Sequence, residues 1–238
     1  MIYNPFPKVD LPFGEDNKWF AYLFESIIRV DTSFIEYEMV GKNEWGDPKI
    51  LGIQTHLERV FAYELYRQWM NYLEERGVRS LVVNGEIGKA LKEDFEKDTK
   101  DEENKGRDNY PDLVLHKSQG NEDQQIMVCE IKREKVNNSD LLYDLYKLSC
   151  YTNEKIFWKK EFDYGVFIIV GKEARLNNLK IVPGTNIMFK GRQISIEEYK
   201  SDNELASNFS NILCVSYDGT NINYETLDKL IENITSED

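Results

Sequence analysis

Pro111-Asp112-Leu113-Val114-Leu115-His116 and, after a polar break, Ile126-Met127-Val128-Cys129-Glu130-Ile131-Lys132 are the two runs that decide the fold. Each is short, apolar and rich in branched residues, which is the pattern of a strand. The residues between them, Lys117 to Gln125, are polar and carry Gly120-Asn121 at their centre, so the two strands form a hairpin. Folding it about Asn121 sets Asp112, at the foot of the first strand, opposite Glu130 near the end of the second. Alternation along the second strand puts Glu130 and Lys132 on one face and Cys129 and Ile131 on the other. Asp112, Glu130 and Lys132 are therefore expected to converge.

Two carboxylates held side by side repel unless a positive charge intervenes. Oxygen ligands of this kind suit a hard cation, Mg²⁺ or Mn²⁺. Such an ion lowers the pKa of a bound water and neutralises a phosphate, while a neighbouring ammonium orients the attacking water. An acid, any residue, then Lys also occurs at Asp16, Asp47, Asp98, Glu103 and Glu198, so the triplet alone discriminates nothing. Glu130 differs in lying on an apolar strand paired with one that Pro111-Asp112 opens.

Outward from the hairpin, Asn138 to Tyr151 reads as a helix with Leu141, Leu142, Leu145 and Leu148 on its apolar face and Asn138, Ser139 or Asp140 as N-cap. Tyr164 to Val170 is an unbroken apolar strand. Upstream, Gln54 to Arg76 is a helix closed by Gly77, with Leu57, Val60, Phe61, Leu65 and Tyr72 on its buried face. Glu64 projects between Val60 and Phe61, where a carboxylate must be neutralised, paired or metal-bound, and Glu58 lies nearer the edge of that arc. Ser80 to Asn84 is a short strand, followed by a short helix near Ile87 to Phe95 and a charged loop over Glu96 to Asp108.

Nearer the N-terminus, Asn17 to Arg29 is a helix with Trp19, Phe20, Leu23, Phe24, Ile27 and Ile28 on one stripe, expected to dock on the chain's own core in preference to a partner. Short strands are expected at Lys180 to Val182, Ile187 to Lys190 and Gln193 to Ile196. A further strand at Asn211 to Tyr217 and a closing helix at Tyr224 to Ile234 complete an α/β chain.

The 238 residues fit one domain, and a hydrophobic fraction of 41% describes a globular chain. A net charge of −13 argues against a surface that attracts nucleic acid everywhere, so a polyanion must bind at a local patch. Cys129, Cys150 and Cys214 are odd in number and lie in apolar stretches, as reduced core residues do. With two histidines and no cysteine pair a zinc site is not expected, and His116 reads as part of the hairpin. No phosphate-cradling Gly-rich loop and no Gly-x-Ser-x-Gly elbow is present. The longest apolar stretch, Val166 to Val170, is too short to span a bilayer, so no membrane partner and a cytoplasmic location are expected.

Pro111-Asp112 followed by Glu130-Ile131-Lys132 resembles the signature of the PD-(D/E)XK nuclease superfamily, the restriction-endonuclease-like proteins. The resemblance implies a mixed central β-sheet flanked by helices as the core, over about residues 54–170. An N-terminal helical addition over 1–53 and a C-terminal strand and helix over 172–238 would complete a single domain. It also implies Asp112 and Glu130 as metal ligands, a further acid from the upstream helix that matches Glu64, with Glu58 as substitute, and catalysis by Lys132. The family's polar residue and Tyr on the following helix match Lys147 and Tyr151, spaced to share one helical face. Lys117, Arg133 and Lys135 supply local positive charge for a sugar-phosphate backbone.

The implied activity is Mg²⁺-dependent hydrolysis of nucleic acid, DNA first, by a hydrolase. The alternative is a catalytically inactive nuclease-like domain serving as a binding or interaction module. A homodimer, or a protein partner held through the N-terminal helix, stays open.

Overall fold

The computed structural model describes residues 13–35, 38–42, 48–53, 57–85, 111–117, 125–153 and 162–235. The helix expected near Ile87 to Phe95, the charged segment Glu96 to Asp108, the turn at Gly120-Asn121 and His56 lie outside these residues.

Six strands form one mixed sheet: β3 (Leu81–Gly85), β4 (Leu113–Lys117), β5 (Gln125–Arg133), β6 (Phe162–Val170), β9 (Ile212–Tyr217) and β10 (Ile222–Thr226), in the order β10-β9-β6-β5-β4-β3. The steps β3 to β4, β4 to β5 and β9 to β10 are antiparallel, whereas β5, β6 and β9 run parallel. Parallel neighbours need a crossover, and helix α3 (Asn138–Tyr151) supplies it between β5 and β6. Val166 to Val170, in the middle of the sheet, is buried throughout, as a strand covered on both faces must be.

Helices α1 (Asn17–Ile28) and α2 (Leu57–Glu75) cover one face, placing Phe20, Leu23, Ile27, Phe61, Leu65 and Trp69 against Leu113, Cys129, Ile131 and Ile168. α3 and α6 (Leu227–Ile234) cover the other, where Leu141, Leu145, Leu148 and Leu230 meet Val114, Val128, Phe167 and Ile169. Full burial of each large apolar side chain contributes roughly 1.5–3 kcal/mol, which is what holds the three layers together. The stripe of α1 is thus occupied within the chain, although Ile28, expected on it, is exposed.

α2 ends where Gly77 adopts φ +69 and the Val78 amide donates to the Leu73 carbonyl at 2.9 Å, a glycine-dependent C-terminal cap. Val60 is 42% exposed, so the buried arc of α2 runs through Phe61, Leu65, Trp69 and Leu73 and not through Val60. α3 is capped by Asn137, one residue before the expected candidates, through its side-chain oxygen and the Asp140 amide.

The N-terminal region is not purely helical. It adds an antiparallel pair, β1 (Glu38–Lys42) and β2 (Pro48–Ile53). Of the three strands expected after Lys172, two form a separate hairpin, β7 (Asn186–Phe189) with β8 (Arg192–Ser195), turned by Lys190 and Gly191 at positive φ. Lys180 to Val182 is no strand, since the Ile181 amide donates instead to the carbonyl of Ile234. Short helices α4 (Ile196–Ser201) and α5 (Asn203–Ala206) follow.

The closing helix begins at Leu227, because a turn centred on Asp218 returns Ile222 to Thr226 onto β9 as an edge strand. Among the described residues no helix is long and apolar enough to cross a membrane.

Candidate active site

The backbone builds the first half of the site. β4 and β5 pair with Leu113 opposite Cys129, and the ladder extends one step further as the Asp112 amide donates to the Cys129 carbonyl at 3.1 Å. The Ile131 amide returns a bond of 2.7 Å to Asp112 Oδ2, which fixes that carboxylate beside the segment Glu130 to Lys132. Glu130 and Lys132 share the α3 face of β5, while Cys129 and Ile131 pack into the α1–α2 core. The convergence of Asp112, Glu130 and Lys132 thus follows from register and alternation.

The second half comes from α3. Lys147 Nζ lies 2.8 Å from Glu130 Oε1, and both side chains are almost wholly buried. A snorkelling lysine would not be buried in this way. Asp144, one turn earlier, lies 3.7 Å from Lys147 and 3.4 Å from Lys132. Tyr151 is buried at the end of the same helix, packed edge-on against Phe162. Burial first, and then the charge of Glu130, hold its phenol well above the usual tyrosine range.

Asp144 was missed in the sequence, though a signal for it existed. It projects between Leu148 and Tyr151 on the helix, and a carboxylate on that side demands a partner by the logic that singled out Glu64.

Of the two upstream acids, the structure brings Glu58 to the site and not Glu64. Lys132 Nζ lies 2.9 Å from Glu58 Oε1. Glu64, six residues on and so about 120° around the helix, is held by Arg67 and by Gln68 at 2.7 Å. The Arg67 hydrogen bond, chiefly, lowers its pKa. Its burial is thus answered by neighbours on its own helix.

Electrostatics in the cluster are strained in one direction. Burial pushes the Asp112 carboxyl up to about 6, against the Ile131 amide and the charges of Lys132 and Lys147. Burial pushes Glu130 well above the carboxylate range, and Lys147 only partly opposes this. For Lys132 burial works against the charged form, yet Asp144, Glu58 and Asp112 outweigh it and hold the ammonium more basic than an ordinary lysine. Lys147 is raised in the same way by Glu130 and Asp144.

Among the described residues, Glu58, Asp112, Glu130 and Asp144 thus set four carboxylates against two ammoniums, a formal deficit of two positive charges. Asp144 Oδ2 is buried and accepts no aligned hydrogen bond, and Glu130 Oε1, equally buried, has Lys147 Nζ at 2.8 Å. Oxygen donors, a formal charge deficit of two and a poorly satisfied buried oxygen on Asp144 would fit a hard divalent cation, and Asp112 and Glu130 are the residues that could hold it. Among the described residues no three metal-ligating side chains gather closely enough to enclose an ion. Mg²⁺ commonly needs only one or two carboxylates and completes its shell with water and phosphate oxygens.

The other candidates separate by position. Arg133 ends β5 and Lys135 is exposed just beyond it, so both follow directly from Lys132. Lys117 is at the opposite end of β4 from Asp112, about 16 Å along the strand, and does not join the cluster. His116 stays in the sheet, its ring 2.7 Å from the Asn84 amide nitrogen. Of the rival triplets, Asp16 accepts from Tyr164 and Glu198 pairs with Arg192, while Asp47, Asp98 and Glu103 lie outside the described residues. Cys129, Cys150 and Cys214 are free and buried. Comparison with known proteins returns no matching family model, curated relative or solved structure.

Proposed function

We propose that this chain hydrolyses phosphodiester bonds of nucleic acid, DNA first, in a restriction-endonuclease-like PD-(D/E)XK site that takes Mg²⁺ or Mn²⁺. The observation that carries the proposal is the juxtaposition of Asp112, Glu130 and Lys132 with a deficit of two positive charges. The run of elements around it, α2, β3, β4, β5, α3 and β6, supports the reading, since it is a mixed sheet flanked by helices as the resemblance implies.

Asp112 and Glu130 would hold the cation, which when bound supplies an activated water and charge neutralisation at phosphate. Lys132, half-buried and kept cationic by its acidic neighbours, places an ammonium where it can orient that water or meet developing negative charge. Glu58 fixes the Lys132 side chain from α2. Arg133 and Lys135, continuing from the same strand end, offer the local positive charge that a phosphate backbone requires on an otherwise acidic chain.

The test is cleavage of plasmid and linear DNA with Mg²⁺, Mn²⁺ or chelator. Asp112→Ala and Lys132→Ala are each expected to abolish metal-dependent cleavage while the protein stays folded. Unchanged cleavage in both variants overturns the assignment.

A second reading, a nuclease-like module that only binds partners, is favoured by one observation. Lys147 already neutralises Glu130 at 2.8 Å without any metal. Calorimetric titration separates the two, because a folded protein without affinity for Mg²⁺ or Mn²⁺ at millimolar concentration would be the module.

A further inference from the structure

Asp144 has no role in the site as the sequence motif defines it, and its surroundings are specific. It lies in the second turn of α3 with its side chain 5% exposed. Oδ2 faces Lys132 Nζ at 3.4 Å and Oδ1 faces Lys147 Nζ at 3.7 Å. The two lysines make shorter contacts elsewhere, Lys132 with Glu58 at 2.9 Å and Lys147 with Glu130 at 2.8 Å. Asp144 therefore lies against both ammoniums at longer range than their first partners, and its Oδ2 accepts no aligned hydrogen bond. A buried carboxylate in that condition is costly to keep.

We propose that Asp144 is a positioning residue that holds both ammoniums at the site and takes over Lys147 when a divalent cation occupies Glu130. The proposal rests on the metal-dependent reading above. A cation bound to Glu130 and an ammonium at the same carboxylate repel one another, so Lys147 must leave. Displaced into a buried space without an acceptor, it would be an uncompensated charge, and cation binding would bear that penalty. Asp144 lies three residues earlier on the same helix, so Lys147 reaches it by rotating its own flexible side chain while the backbone stays in place. The same carboxylate keeps Lys132 in the cluster, since Glu58, the partner of Lys132, is 34% exposed and open to water.

The experiment compares the full chain with Asp144→Asn and Asp144→Glu, using calorimetric titration with Mg²⁺, thermal unfolding, and ¹H–¹⁵N spectra of the lysine ammonium groups. Asp144→Asn is expected to weaken Mg²⁺ binding about 10- to 100-fold and to shift the ammonium signals of both Lys132 and Lys147. Asp144→Glu is expected to restore most of the affinity, which loss of packing alone would not predict. Wild-type Mg²⁺ affinity in Asp144→Asn overturns the proposal.

Should the wild-type chain itself bind no Mg²⁺, the metal-dependent reading fails first. The ammonium signals then judge Asp144 separately: both shifted in Asp144→Asn keeps its holding role, and both unchanged removes it. If Asp144→Asn does not fold, Asp144→Ser carries the same comparison.

Discussion

Lys147 Nζ sits 2.8 Å from Glu130 Oε1 across the interface of α3 and β5, with the two side chains 4% and 2% exposed. A charge pair so deep gives little net stability when intact and costs much when halved, because the survivor is left uncompensated. Lys147→Met should therefore destabilise the metal-free protein by about 3–5 kcal/mol in urea unfolding. The double variant Glu130→Leu, Lys147→Met should recover most of that loss. A double-mutant cycle with no coupling between the two positions would show that the pair is not formed in solution.

Glu58 and Glu64 make opposite predictions. Glu58→Gln releases Lys132 from its 2.9 Å contact and, under the proposed function, should lower metal-dependent turnover at least tenfold with the fold retained. Glu64→Gln should leave turnover unchanged and cost under about 1 kcal/mol, since its partner Arg67 is 60% exposed. Equal losses of turnover in both variants would contradict the placement of Glu58.

The pH dependence follows from the raised carboxyls. With Asp112 near 6 when folded and near 3.8 when unfolded, the folded chain holds the extra proton between those values. The metal-free protein is thus stabilised below about pH 4 relative to neutral pH, and this contribution is lost as the pH rises through about 6. It is on the order of 2–3 kcal/mol, and the raised carboxyl of Glu130 acts in the same sense. Asp112→Asn should flatten the slope of unfolding free energy between pH 4 and 6. In the proposed metal site protons and cation would compete for the same oxygens, so stabilisation by Mg²⁺ should be larger at pH 8 than at pH 5.5, as thermal unfolding would read directly.

Asn137 holds the start of α3 through its side-chain oxygen, 2.8 Å from the Asp140 amide. Asn137→Ala should lower stability by about 1 kcal/mol, and Asn137→Asp should retain it. Because α3 carries Asp144 and Lys147, the proposed metal site predicts that the Ala variant also weakens Mg²⁺ binding, which calorimetry measures independently of the melting temperature.

Much of the framework was legible in local patterns. The β4–β5 hairpin follows from two apolar runs about a polar break, and the pairing of Asp112 with the Glu130 to Lys132 segment follows from strand alternation, which allows no intermediate register. α3 and β6 appear close to their expected bounds because a leucine stripe and an unbroken apolar run are strong local signals. The end of β10, Tyr224 to Thr226, falls within the stretch expected as the last helix, since a short edge strand has no apolar face to declare it and exists only through pairing with β9.

The sequence by itself thus determined the α/β order and the shared face of Glu130 and Lys132, because both depend on periodicities of 3.6 and 2 within single elements. Only the tertiary structure decided that Glu58 and not Glu64 reaches Lys132, that Lys147 neutralises Glu130, and that Asp144 stands between the two lysines. Those outcomes depend on how far α2 and α3 are rotated about their axes when they pack on the sheet. That rotation is set by the fit of many apolar side chains at once, and no single stretch of sequence contains it.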